Sequence, residues 1–260
     1  MKNNFKPPKD KYEYYDVIAK FPETDELKEI GVEEKQSRMA DEKKLYVYRA
    51  VHKELDDKYK LTDIAGTGDD LSKVINLMRW LRDNTYYCGM SMNITADNGL
   101  DILNSSVGKG FDKALNCRFT AIAFADCLVA VGMKAYPVAL ASYKDKENGS
   151  FGVHLMTHAF ISEMNKWCLF DPSFNVCFHD DDGRYLNAFE LREEFLDGCY
   201  PVVQGYSFNG EDLHKELYVD YFVKQCLTNI TTWHDNSMIG RVYSGMNFAF
   251  RKKFNCKLPE

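Results

Sequence analysis

Cysteine 117 stands at the start of a stretch that combines a nucleophilic residue with a strong helix signal. Only three polar residues occur from Cys117 to Val131, and the stretch ends at Gly132, the residue favoured just after a helix. Asn116 is a favoured N-cap, so Cys117 is predicted to be the first residue of a buried helix. The helix dipole at that position favours the thiolate, the nucleophilic form of cysteine. Cys117 is therefore a candidate nucleophile, and an inert core cysteine is the alternative.

A histidine and an aspartate follow on two apolar segments that read as adjacent β-strands. A two-residue loop at Met164 and Asn165 would join the segments as a hairpin. In that register His158 stands directly opposite Asp171, with Cβ atoms about 4.5–5.5 Å apart. A carboxylate at this distance can orient an imidazole ring. The sequence therefore predicts that Asp171 orients His158.

A second histidine competes for the same role. His154 precedes His158 on the same face of the predicted strand, about 13 Å away along the chain. A single thiolate cannot be served by both rings. In the predicted register His154 faces Asn175 rather than a carboxylate. We therefore assign the base to His158 and expect His154 at the surface or at the rim of a cleft.

These residues follow the order of the transglutaminase-like superfamily of papain-type cysteine enzymes, which the chain resembles over roughly residues 70 to 175. The family pattern is a Cys that begins a buried helix, a Gly-x-x-Ala element, a His-Ala-aromatic strand and an aromatic strand ending in Asp-Pro. The matching elements are Cys117, Gly132–Ala135, His158–Phe160 and Trp167–Pro172. The resemblance implies that Cys117 is the nucleophile, His158 the base and Asp171 the orienting residue. The chain differs at Asn116, near which the family often has Gly, and at Phe160, where it often has Trp.

Two predicted elements precede the nucleophile. Residues 71–83 form an amphipathic helix, and residues 84–114 form a mostly irregular loop with a short helical turn at 101–103. A loop of this length is usually functional, and it is expected to supply a second oxyanion donor beside the Cys117 backbone N–H. The candidates for oxyanion or substrate binding are Asn84, Tyr87, Asn104 and Asn116. The sequence does not choose among them.

The remaining elements are predicted from hydrophobic periodicity. The predicted elements are helices over residues 45–59, 187–197 and 211–233, strands over residues 134–143 and 242–254, and a solvated turn at Asp180–Asp182. Pro137 would place the first of these strands near a sheet edge or a strand start.

Composition excludes several classes of function. The net charge of −6 argues against a nucleic-acid partner. No apolar run reaches the length of about 20 residues that a membrane span needs, and no signal peptide is visible. The eight cysteines contain no Cys-x-x-Cys pair, so no metal site or cofactor is predicted. Their scattered spacing favours reduced thiols and a cytoplasmic location.

The predicted fold class is α+β, with a buried helix that carries Cys117 packed on an antiparallel sheet that carries the His and the Asp. We expect one domain over residues 1–260, with a helical extension (1–70), a catalytic core (71–200) and a C-terminal helix and strand (201–260). The predicted function is a peptidase or amidase that acts on a peptide or protein through a Cys117 thioester. The alternatives are a glutamine transglutaminase-type transferase and an inactive peptide-binding module of the same fold. The substrate and the oligomeric state stay open.

Overall fold

The computed structural model describes residues 49–89, 91, 94–96, 98–141, 153–197, 199, 202–205, 209, 218 and 229–232. The helices are α1 (Ala50–Tyr59), α2 (Leu61–Ala65), α3 (Asp70–Asn84), α4 (Gly99–Ser106), α5 (Cys117–Ala130) and α6 (Ala188–Leu196). The strands are β1 (Ala135–Ala141), β2 (Val153–Ile161), β3 (Lys166–Asp171), β4 (Val176–His179), β5 (Val202–Gln204) and β6 (Asn229–Thr232). Short 3₁₀ turns lie at Phe111–Lys113 and Ser162–Met164. The architecture is α+β, as predicted.

The strands form one six-stranded sheet in the order β5-β4-β3-β2-β1-β6, and every pair in it is antiparallel. The four strands from β1 to β4 are neighbours in the order of the chain, as expected of a meander. Strand β6 then returns to the far edge and pairs with β1. Strands β5 and β6 are therefore neighbours in the chain but lie at opposite edges of the sheet.

Helix α5 is the centre of the fold, and its boundaries agree with the prediction. Asn116 accepts a hydrogen bond from the N–H of Phe119 through Oδ1 at 3.1 Å, which is an N-cap contact. The helix ends at Ala130, and Gly132 follows with φ +85°, a conformation that glycine adopts without strain. Because 13 of its 14 residues are buried, α5 is held by packing on all sides rather than by one apolar face.

The two faces of the sheet bury different sets of residues. One face packs on the helices, and Thr157 on this face donates from Oγ1 to the Ala121 carbonyl of α5 at 3.3 Å. The other face belongs to a group that we call the outer cluster. Its members are Tyr87, Cys117, Val138, Leu140, Met156, Leu169, Phe174, Val176, Phe178, Leu186, Ala188, Leu191 and Tyr218. Cys117 is thus the residue of α5 that reaches the outer cluster.

Helices α1 and α4 are bound to α5 by a partly buried polar contact. His52 of α1 lies with Nε2 at 3.2 Å from Oδ1 of Asp126, and the N–H of Gly99 donates to the other carboxylate oxygen at 2.6 Å. The N–H of Arg49 donates to His52 Nδ1 at 2.9 Å. The ring proton therefore lies on Nε2, which donates a hydrogen bond to Asp126. One carboxylate therefore holds the starts of α1 and α4 on α5.

Several predicted boundaries change. Helix α4 occupies eight residues where a short turn was predicted, and Asn98 caps it by accepting from the N–H of Asp101 at 3.0 Å. The helix predicted over residues 211–233 is wrong at its end, because residues 229–232 form β6. Within that range only Tyr218 is otherwise described, and it is helical. The start of the 45–59 helix and the strand over 242–254 lie outside the described residues.

The loop between β2 and β3 is also different from the prediction. Ile161 pairs with Lys166, so four residues rather than two form the connection. Helix α3 dictates this geometry, because the N–H of Ser162 donates to Asp70 Oδ2 and the N–H of Asp70 donates to Glu163 Oε1, both at 3.1 Å. The register of the hairpin therefore moves by two residues. A shift of two keeps every side chain on its face but changes its partner across the hairpin.

Candidate active site

Cys117 lies at the N-terminus of α5, in a position that is almost closed to solvent. Its relative exposure is 6%, and the capping residue Asn116 is fully buried. Asn116 also donates from Nδ2 to the Ser91 carbonyl at 2.8 Å, which binds the preceding loop to the start of the helix. The first N–H groups of a helix have no acceptor within the helix, so this terminus favours negative charge on the sulfur.

His154 is the histidine that meets both Cys117 and Asp171. Its Nε2 lies 2.7 Å from Asp171 Oδ2, and its ring also hydrogen-bonds the Cys117 side chain. Because Nε2 is engaged by the carboxylate, Nδ1 is left for the sulfur. Both His154 and Asp171 are buried, with relative exposures of 2% and 0%. Thiol, imidazole and carboxylate therefore form one continuous hydrogen-bonded series.

The electrostatics of this series favour a protonated imidazole. Burial acts to lower the pKa of His154, but the charge and hydrogen bond of Asp171 and the contact with Cys117 raise it to about 10. The carboxylate effect thus outweighs desolvation. At neutral pH His154 is an imidazolium placed between two groups that can carry negative charge.

The Asp171 carboxylate is held by donors from three directions. Tyr218 donates from its hydroxyl to Oδ2 at 2.7 Å, and the backbone N–H of Ser173 donates to Oδ1 at 2.9 Å. His154 supplies the third contact, also on Oδ2. A buried carboxylate stays ionised at acceptable cost only when its oxygens are satisfied in this way.

Arg82 of α3 adds a positive charge behind Asp171. Its Nη1 donates to the Ser173 carbonyl at 3.3 Å, and its Nη2 donates to Thr85 Oγ1 at 2.6 Å. Burial lowers the pKa of Arg82 to about 10, and the negative charge of Asp171 opposes that shift. The guanidinium remains charged at neutral pH, and it attracts the Asp171 carboxylate through space.

His158 is not close to Asp171, and this corrects the pairing predicted from the sequence. His158 pairs with Leu169 in the hairpin, and the ladder, continued by one step, brings Asp171 opposite Met156. The His158 ring lies instead between Tyr136, whose hydroxyl is 3.0 Å from Nδ1, and the backbone N–H of Ala188, which donates to Nε2 at 3.1 Å. Both ring nitrogens are occupied by partners other than Cys117.

The environment of His158 also opposes proton uptake. Burial lowers the pKa of His158 to about 3, so the ring is neutral throughout the physiological range. The expectation that His154 is a surface or cleft-rim residue is likewise wrong, because His154 is buried against Phe174 at a ring distance of 5.8 Å. His154 thus makes the contact with Asp171 that was predicted for His158, and both histidines are buried.

The four candidates for oxyanion or substrate binding lie in different surroundings. Asn84 donates from Nδ2 to the Trp80 carbonyl of its own helix at 2.8 Å. Asn104 accepts from Tyr59 at 3.0 Å and from the ammonium group of Lys58 on the outside of α1 and α4.

The other two candidates lie beside the thiol. Asn116 uses its amide on the helix cap and on the Ser91 carbonyl. Tyr87 packs in the outer cluster with Cys117, and its ring is 5.0 Å from that of Phe174. Of the four candidates, Tyr87 therefore has its side chain in the outer cluster together with Cys117.

The buried cysteines differ from Cys117 in their surroundings. Burial raises the pKa of Cys127 well above its ordinary value, and it raises those of Cys168 and Cys177 to about 12 and about 11. No neighbouring histidine contributes to any of these three pKa shifts. Cys199 is exposed and Cys88 is half-buried. These residues provide internal references for the reactivity of Cys117.

The described residues contain no group of three or more His, Cys, Asp and Glu side chains that could hold a metal ion. None of the helices found in the described ranges is both long and apolar enough to cross a membrane. The Asp180–Asp182 segment forms the predicted turn, in which Arg184 pairs with Asp180 at 2.8 Å.

Two residues of the site were missed from the sequence. Tyr218 lies within the helix predicted over residues 211–233 and Arg82 within the helix predicted over residues 71–83, and neither was given a role at the site. A weak signal existed for Arg82, because it follows the buried Leu81 in α3. Tyr218 had no local signal, because its partner lies 47 residues earlier in the chain.

Comparisons with known proteins include a distant structural neighbour. No protein-family profile matches the chain, and no curated protein sequence matches it. Among solved structures, the chain is similar to a "Putative Cysteine Protease" from Cytophaga hutchinsonii, with 21% identity and a TM-score of 0.34. The alignment covers 48% of this chain and 39% of that protein. The chain therefore spans well under half of that neighbour.

Proposed function

We propose that this protein is a cysteine-dependent acyl-transfer enzyme that cleaves an amide bond. In this proposal Cys117 is the nucleophile, His154 is the general base and acid, and Asp171 orients His154. The observation that carries the proposal is the hydrogen-bonded series from Cys117 through His154 to Asp171, which begins at a helix N-terminus and is almost closed to water. A nucleophile, a base and an orienting carboxylate in that order are the requirements for covalent catalysis of acyl transfer.

The raised pKa of His154 supports an ion pair in the resting site. The thiol gives its proton to His154 and becomes a thiolate. Because the pKa of His154 is about 10, the imidazole keeps that proton at neutral pH. The thiolate then attacks the carbonyl carbon of the substrate. The carbonyl π electrons move to oxygen, and the backbone N–H of Cys117 at the helix terminus is the donor that we assign to this oxyanion.

The two following steps restore the site. The tetrahedral intermediate collapses, the carbon–nitrogen bond breaks, and the His154 imidazolium gives its proton to the leaving nitrogen, which produces a thioester. Neutral His154 next takes a proton from water while the water oxygen attacks the thioester carbon. The carbon–sulfur bond breaks, a carboxylic acid leaves, and the thiolate–imidazolium pair is restored. An amine in place of water would make the same thioester an intermediate of a transferase.

Alkylation by iodoacetamide near pH 7 tests the nucleophile. We expect Cys117, at 6% exposure, to be labelled faster than the exposed Cys199, although access alone would give the opposite order. Peptide mapping by mass spectrometry reads each site separately. Labelling of Cys117 as slow as that of the buried Cys168 would count against the proposal and would favour a catalytically inactive binding module.

A peptide library tests the reaction. Quenched fluorescent peptides are incubated with the wild type and with Cys117→Ala, in the presence and absence of a labelled primary amine. We expect cleavage that depends on Cys117 and does not need the amine. Incorporation of the amine without net hydrolysis would instead assign a transferase. Equal signals from the wild type and Cys117→Ala in both arms would reject acyl transfer for these substrates.

A further inference from the structure

We infer that Tyr218 is a positioning residue of this site, whose hydroxyl holds the Asp171 carboxylate in place on His154. The inference rests on the proposed function of the site. Tyr218 donates to Asp171 Oδ2 at 2.7 Å, and the same oxygen lies 2.7 Å from His154 Nε2. Tyrosine and histidine therefore share one oxygen of the carboxylate.

The ring of Tyr218 is fixed by aromatic packing. It meets the ring of Phe174 edge to face at 5.3 Å and stacks on that of Phe178 at 6.2 Å with an interplanar angle of 19°. Phe174 also contacts the His154 ring. Since the Tyr218 side chain is 2% exposed, it cannot rotate to place its hydroxyl in water. The position of the hydroxyl on Asp171 is thus set by the outer cluster.

The carboxylate needs this donor because of where it lies. Asp171 has no exposure to solvent, so its oxygens depend on hydrogen bonds from the protein. Without the Tyr218 hydroxyl, Oδ2 would keep the contact with His154 alone, and Ser173 would remain on Oδ1. The carboxylate could then turn away from His154, and the orientation of His154 toward Cys117 would be lost.

The position of Tyr218 in the chain has a second consequence. Cys117, His154 and Asp171 all belong to α5, β2 and β3, but Tyr218 lies between β5 and β6, which form opposite edges of the sheet. The connection between these edges therefore contributes a residue to the site. A core that ended after β5 would contain all three proposed reacting groups and lack the donor on Asp171.

The test measures the rate of Cys117 alkylation by iodoacetamide against pH, for the wild type, Tyr218→Phe and Tyr136→Phe. Phenylalanine at 218 retains the ring packing and removes only the hydroxyl. Tyr136→Phe is the matched control, because it removes a buried hydroxyl on the same face of the sheet that contacts His158 rather than Asp171. We expect Tyr218→Phe to move the acid-side midpoint of the profile upward by about one pH unit, as loss of a hydrogen bond to a charged group implies. Tyr136→Phe should leave the midpoint unchanged.

The outcomes separate this inference from the proposed function. Slow labelling of Cys117 in the wild type would reject the function before any variant is compared. Fast labelling in the wild type with a superimposable Tyr218→Phe profile would reject only the positioning role. If circular dichroism finds Tyr218→Phe unfolded, a monofluorinated tyrosine at position 218 replaces it, since its more acidic hydroxyl is a stronger donor. The midpoint should then move downward, and an unchanged midpoint would overturn the inference.

Discussion

The backbone N–H of Ala188 donates to Nε2 of His158 at 3.1 Å, so a histidine of β2 binds the first residue of helix α6. Because Nε2 accepts this hydrogen bond, the ring proton lies on Nδ1. Nδ1 donates it in a hydrogen bond to the Tyr136 hydroxyl oxygen, which is 3.0 Å away. Asn187 completes the helix start by accepting from the N–H of Glu190 at 3.0 Å. A neutral His158 is thus part of the architecture that attaches α6 to the sheet, and no ring nitrogen is left for a thiol.

The first prediction separates the two histidines. His154→Gln should slow alkylation of Cys117 by roughly 30-fold at pH 7, because a thiol with the ordinary pKa of about 8.5 is only a few per cent thiolate there. His158→Gln should leave the rate per folded molecule close to that of the wild type, since glutamine can accept from the Ala188 N–H and donate to Tyr136. Site-resolved mass spectrometry measures both rates, and circular dichroism gives the folded fraction. Loss of labelling in His158→Gln with wild-type labelling in His154→Gln would reverse our assignment.

The second prediction concerns the charge of Asp171. Asp171→Asn removes the negative charge that, against the effect of burial, holds the pKa of His154 at about 10. The imidazole should therefore titrate at least one pH unit lower in the variant, a change followed by the NMR signals of the ring. Asp126→Asn is the control, because Asp126 contacts a different histidine. An unchanged titration of His154 in Asp171→Asn would mean that the carboxylate does not set its charge.

The third prediction concerns stability in acid. The pKa of His158 is lowered by burial from 6.5 to about 3, so between these values the unfolded chain binds a proton that the folded protein excludes. The contribution of a neutral His158 to the free energy of unfolding is complete above pH 6.5. It should fall by about 1.4 kcal/mol for each pH unit below that value.

Denaturant titrations at several pH values between 7 and 4.5 measure this dependence. His158→Gln carries no titrating ring, so its unfolding free energy should fall less steeply than that of the wild type. The difference between the two slopes isolates the histidine, because all other groups are common to both proteins. Parallel curves would show that His158 binds a proton in the folded state.

The fourth prediction concerns the close approach of α4 to α5. A Cβ at Gly99 would lie 2.6 Å from the Cβ of Asp126, so Gly99→Ala forces the two helices apart and should destabilise the protein by about 1–3 kcal/mol. Gly108→Ala is the comparison, because nothing lies within 4 Å of the added carbon there and only its φ of +69° is unfavourable. Thermal and denaturant unfolding compare the two variants. A smaller loss for Gly99→Ala than for Gly108→Ala would contradict the packing.

The sequence predicts the part of the site whose signals are local. Asn116 next to Cys117, the long apolar run and Gly132 are enough to position the helix and its first residue, and the structure agrees with all of them. The order of the strands β2 and β3 and the face that carries both histidines were likewise predictable from alternation.

The partner of Asp171 could not be predicted in the same way. It depends on a two-residue difference in the hairpin register, and that difference arises where Asp70 of α3 binds the turn at Ser162. Contacts between distant parts of the chain have no periodic pattern in the sequence. The hydroxyl of Tyr218 on Asp171 is another such contact. Both errors at the site therefore concern long-range pairing rather than residue type.

Strand β6 has a protective role that follows from the order of the sheet. It covers β1 from Val138 to Ala141, and residues 135–137 lie outside this pairing. The uncovered part includes Pro137, which has no N–H to offer to a neighbouring strand. Without β6, the bare edge of β1 would be a template for pairing with another copy of the chain, the first step of edge-to-edge aggregation. The four residues of β6 therefore help to keep the molecules apart.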